Sequence, residues 1–109
     1  MIDGLYVVHF RSATDEGSGV VVITDGAVNG GDYAYVYQGR LQDDGQGVSA
    51  TLEVTRFNPG AQSIFGPADQ FELEVSGPAT DKSFDLTGHV KGSPSHKIDV
   101  SGRYFKPLI

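Results

Sequence analysis

Cysteine and tryptophan are absent from this 109-residue chain, and methionine occurs once. Without thiols there is no disulfide framework, no thiolate metal site and no thiol nucleophile. No stretch approaches the roughly 18 uninterrupted apolar residues of a membrane-spanning helix. The opening Met1-Ile2-Asp3-Gly4-Leu5-Tyr6 lacks a basic region followed by an apolar run and a small-residue cleavage site. A cytoplasmic protein is therefore expected. Basic residues are scarce: 8 Lys and Arg stand against 14 Asp and Glu, a formal charge of −6. That balance opposes direct contact with nucleic-acid phosphates and suits a basic protein partner.

Signatures of catalysis are missing as well. There is no Gly-x-Ser-x-Gly elbow, no phosphate loop, no His-Glu-x-x-His and no calcium-loop spacing. Of the three histidines, His9 alternates with apolar residues, as a structural side chain does. His89 and His96 lie near Asp99, and a His89–Asp99 pair would be the nearest thing to an acid–base dyad or metal site. A charge-complementary pair on a solvated face explains it without chemistry, and no third ligand is evident. The expectation is a non-catalytic protein with no cofactor and no metal.

What is abundant is punctuation. Glycine supplies 15 residues and proline 5, and β-branched and aromatic runs of period two lie between them. Strands are expected near 3–12, 18–24, 27–30, 33–42, 47–57, 70–77, 83–92 and 96–105, with any helical turn confined to 58–69. One domain over 1–109 follows, with an all-β fold: an eight-stranded antiparallel barrel, closed or nearly closed.

Two hairpins show how a core would form. Around Asp43-Asp44-Gly45-Gln46, residues Tyr33, Tyr35, Tyr37, Gly39 and Leu41 share a face that Val48, Ala50, Leu52 and Val54 can meet. A turn at Gly92-Ser93-Pro94-Ser95 sets Phe84 opposite Tyr104, Leu86 opposite Gly102, Gly88 opposite Val100 and His89 opposite Asp99. Gly39, Gly88 and Gly102 then fall on interior faces, where glycine needs a reason. Either neighbouring rings fill the space, or these positions with Tyr35 and Tyr37 line a cavity for a lipid or other small apolar ligand. In the first two strands both faces are apolar, at Leu5 to Val8 and Val20 to Ile23. A second copy of the chain would cover the outer one, giving a homodimer, unless the 58–69 loop with Ile64 and Phe65 does so. The Asp43-Asp44 turn suits a soluble loop, and equally a contact for a Lys/Arg-rich partner.

Several of these residues together resemble a known family. Asp3-Gly4-Leu5-Tyr6, Gly17-Ser18-Gly19, Gly30-Gly31-Asp32, Val36-Tyr37-Gln38-Gly39, Arg56-Phe57-Asn58 and Pro107-Leu108 run in the order and near-spacing of the GrlR-type negative regulators of type III secretion. The resemblance implies a lipocalin-like barrel, commonly dimeric, that binds a transcriptional activator and keeps it from DNA. The family's contact includes four acidic residues on the turn after the Tyr-Gln-Gly strand. Here that turn reads Asp43-Asp44-Gly45-Gln46, which keeps two of the acids and lacks the other two.

Overall fold

The computed structural model describes residues 1–13, 16–60 and 69–109. Eight strands follow one another along the chain: β1 (Gly4–Arg11), β2 (Glu16–Thr24), β3 (Ala27–Gly31), β4 (Tyr35–Asp43), β5 (Val48–Arg56), β6 (Gln70–Gly77), β7 (Ser83–Val90) and β8 (Ser93–Lys106). Each pairs antiparallel with its neighbour in sequence, and β8 returns to β1, so the sheet closes as an up-and-down barrel. The expected all-β barrel is thus what forms. Closure follows from the pattern: eight strands apolar on one face can bury it by curling, which also leaves no open edge.

Alternation sets the interior strand by strand. Tyr6, Val8 and Phe10 point inward from β1, Val21 and Ile23 from β2, Tyr35 and Tyr37 from β4, and Val48, Ala50, Leu52 and Val54 from β5. Leu73 and Val75, Phe84 and Leu86, and Ile98 and Val100 complete the core from β6 to β8. Tyr33 departs from the expectation. The chain bends before β4 begins, so Ala34 is buried and Tyr33 is 68% exposed.

The turns explain the registers. Between β2 and β3, Thr24 pairs with Ala27 across Asp25 and Gly26, both with positive φ (49° and 81°), the two-residue turn whose twist suits a hairpin. The last hairpin turns earlier than expected. Val90 pairs with Ser93 across Lys91-Gly92, where Gly92 has φ 85°, and Pro94 to His96 bulge from β8 before His89 meets Lys97. The pairing is therefore shifted by two residues from the expected one: Phe84 faces Gly102, Leu86 faces Val100 and Gly88 faces Ile98. An even shift keeps every side chain on its predicted face but changes its partner. As for the connection 58–69, Asn58 to Gly60 form a turn, and 61–68, including Ile64 and Phe65, lie outside the described residues.

Candidate functional site

Strand order brings the N-terminus, the β2–β3 turn, the β4–β5 turn and the β6–β7 loop to one end of the barrel. Asp3, Asp25, Asp43, Asp44 and Asp81 lie on these segments. On the barrel wall, four acids are matched by bases: Glu16 by Arg11 and His9, Glu72 by Lys91, Glu74 by His89 and Asp85 by Arg103, all at 3.2–3.5 Å; Glu53 and Asp99 form no ion pair among the described residues. Among the described residues, the aspartates of the acidic end form no such ion pair. Asp3, Asp25, Asp43, Asp44 and Asp81 thus gather unpaired carboxylates at the end that holds the predicted contact, together with Lys82, Lys106 and the N-terminal ammonium.

The predicted residues Asp43 and Asp44 play different parts in their turn. Asp44 Oδ1 accepts hydrogen bonds from the amides of Gln46 (2.9 Å) and Gly47 (2.8 Å). Those bonds favour the ionised form and hold its carboxyl below the usual aspartate value. Asp43 Oδ1 accepts the Gly45 amide at 2.8 Å. An open cleft of about 160 Å³ separates this turn from the β6–β7 loop; Asp43 and Asp81 line it and Asp44 does not. Sequence reasoning missed Asp81, whose proximity depends on closure of the β5–β6–β7 sheet.

At the opposite end the β3–β4 connection is clasped by Asp32. One carboxylate oxygen accepts the amides of Ala34 and Tyr35, each at 2.8 Å, and the other accepts the buried Tyr37 hydroxyl. Burial, then the neighbouring carboxylate, pushes the Tyr37 phenol well above its ordinary pKa, so it remains a donor. Gly19 makes room for this: a side chain there would start 2.8 Å from the Gly31 carbonyl and 3.3 Å from the Tyr37 ring. The Ala34 carbonyl takes the Phe57 amide, and Asn58 Nδ2 donates to the Tyr33 carbonyl at 3.1 Å. The Gly-Gly-Asp, Tyr-Gln-Gly and Arg-Phe-Asn segments, separate in the sequence, thus meet in one structure.

The interior is largely filled. Of Tyr35, Tyr37, Gly39, Gly88 and Gly102, only Tyr37 lines the internal cavity, which is apolar and about 30 Å³, space for about one water. A Cβ on Gly102 would lie 1.9 Å from the Phe84 ring, one on Gly88 1.7 Å from the Glu74 carbonyl oxygen, and one on Gly39 2.4 Å from that of Thr51. In this conformation each glycine accommodates a neighbour.

The His89–Asp99 pairing is corrected by the two-residue shift. His89 binds Glu74 at 3.4 Å and faces Lys97, while Asp99 faces Thr87 on one side and Arg11 on the other. Among the described residues, no group of three His, Asp or Glu could hold a metal. His9 lies on the outer face, where Nδ1 meets Ser18 Oγ and Nε2 meets Glu16, each at 3.2 Å. That hydrogen bond, more than any other cause, lowers the Glu16 pKa. Next to it, Leu5 pairs with Val22 and Val7 with Val20, and Gly31 joins Val20 to Val36. Val7 and Val20 are 44% and 49% exposed, so the second apolar face is open to solvent. Among the described residues no helix is long and apolar enough to cross a membrane.

No curated protein gives a significant match to the chain. A family profile described as "T3SS negative regulator, GrlR" matches residues 1–108. The match spans the whole barrel, from the first strand through the Asp32 clasp and the acidic turn to the end of β8, and the chain belongs to the GrlR family of type III secretion negative regulators.

Proposed function

We propose that this barrel regulates by binding a protein: its acidic end captures a basic partner, a transcriptional activator, and keeps it from DNA in the cytoplasm. The observation that carries this reading is the distribution of counter-ions. Glu16, Glu72, Glu74 and Asp85 are paired on the wall, whereas Asp43, Asp44 and Asp81 are gathered at one end with no ion pair among the described residues and are left to attract a cation from outside. Such an arrangement speeds and orients encounter with a basic surface. A net-negative barrel has little means to displace counter-ions from DNA itself, so action through the activator fits better than competition for its site.

The same reading includes a homodimer. Leu5, Val7, Val20, Val22 and Val36 form an apolar stripe across β1 to β4, and a second copy would remove it from water. That face lies on the wall, leaving the acidic end of each copy accessible. A lipid or small apolar ligand, the alternative, would require Phe84, Leu52 and Tyr37 to move aside.

The test is capture of the activator from native lysate by the parent protein and by Asp43→Lys/Asp44→Lys. The parent should enrich a basic DNA-binding protein and the variant should not, with unchanged far-UV circular dichroism. Equal capture by both removes the acidic turn from the mechanism.

A further inference from the structure

Residues 1–3 run across the acidic end of the barrel as a strap tied to β1, the β2–β3 turn and the β6–β7 loop. The Ile2 amide donates to the Asp81 carbonyl at 2.9 Å. The Ile2 carbonyl accepts the Tyr6 hydroxyl at 2.7 Å, and the same hydroxyl lies 3.2 Å from the Asp81 carbonyl. Asp3 Oδ1 accepts the Asp25 amide at 2.9 Å. Tyr6 is fully buried, so its hydroxyl holds strap and loop together from inside the barrel. These bonds seat the Met1 side chain, which is half-buried, packs against the hydrophobic core and shares a cleft with Val48 and Ala79.

That seat suits a thioether and not its oxidised form. Methionine fills irregular apolar gaps, whereas its sulfoxide is polar and disrupts such contacts. The chain has one methionine and neither cysteine nor tryptophan, so this sulfur is the atom that a two-electron oxidant attacks first. It is partly open to water, where a peroxide reaches it, and partly on the core, where an added oxygen would be desolvated. We propose that Met1 is a redox-sensitive plug that a peroxide releases. The O–O bond breaks as one oxygen bonds to sulfur; the thioether is oxidised by two electrons, and hydrogen peroxide is reduced to water. Turned out to solvent, the sulfoxide draws Ile2 away from Asp81, and the β6–β7 loop loses a tie. That loop stands across the cleft from the Asp43-Asp44 turn, so oxidation alters the acidic end whatever that end binds.

The experiment treats the full chain, labelled with ¹⁵N and with ¹³C at the Met1 methyl, with hydrogen peroxide. The intact mass should rise by about 16 Da, one oxygen, and the single methyl signal should move to the sulfoxide position. The Ile2, Thr80 and Asp81 amides should shift with it. Protection of the Ile2 amide from hydrogen exchange should fall about three- to tenfold, the scale of one lost hydrogen bond. Methionine sulfoxide reductases with dithiothreitol should restore all of these signals. In Met1→norleucine, where a methylene replaces the sulfur, the same amides should keep their parent positions and ignore peroxide. Complete oxidation with unmoved Thr80 and Asp81 amides overturns the plug. So does an equal response of the norleucine protein, or a loss of protection that reaches the β5 core, which is unfolding and not release.

Discussion

Substituting alanine at Gly102 distinguishes a packed barrel from a ligand-holding one. The added methyl carbon would stand 1.9 Å from Cε2 and 2.1 Å from Cζ of Phe84, far inside the 3.5–4.0 Å at which carbons rest. Phe84 is buried, and its ring meets Tyr6 at a centroid distance of 6.0 Å, so it cannot swing away freely. Overpacking of this kind costs about 1–3 kcal/mol. Phe84→Leu alone removes ring atoms and should cost about 1–2 kcal/mol. In Gly102→Ala/Phe84→Leu the methyl occupies space that the ring has vacated, so the double variant should cost less than the sum by about 1 kcal/mol or more. Urea unfolding followed by tyrosine fluorescence and far-UV circular dichroism gives all three values, with an unchanged slope confirming that compactness is the same. If Gly102→Ala lies within about 0.5 kcal/mol of the parent, an ordinary surface-like effect, the space beside Phe84 is open. The packing argument then fails and the small-ligand reading gains the room it lacks.

Two further predictions address the clasp and the outer face. Tyr37→Phe removes the phenolic donor from Asp32 and should destabilise by about 1–2 kcal/mol. Asp32→Ala should cost more in the same unfolding assay, because it strands the buried hydroxyl and two amides; the reverse order would mean that the clasp does not hold the turn. Val7→Glu/Val20→Glu places charges on the stripe and should convert a dimer to a monomer in light scattering with the fold intact. A parent that is already monomeric refutes self-association through this face.

The barrel was legible because strand patterning is local. Alternation through Tyr6, Val8 and Phe10, or through Val48, Ala50, Leu52 and Val54, states which face is buried with no knowledge of the partner strand. Eight such segments with short turns leave few ways to hide their apolar faces. Asp43-Asp44 was equally visible, as adjacent acids in a turn.

Partnership is what the sequence could not state. A strand displaced by two residues keeps its faces, so alternation cannot tell Phe84 opposite Tyr104 from Phe84 opposite Gly102; the left-handed Gly92 and the bulge at Pro94 to His96 decided it. The same displacement separated His89 from Asp99 and gave Gly102 its purpose. Asp81 joined Asp43 only because the sheet curls through β5, β6 and β7, and Asp32 found Tyr37 because the β3–β4 connection folds back on itself. Local composition determined that there would be a barrel with an acidic turn. Closure of the sheet decided which carboxylates share a cleft, because distances across a barrel depend on register and curvature and not on spacing along the chain.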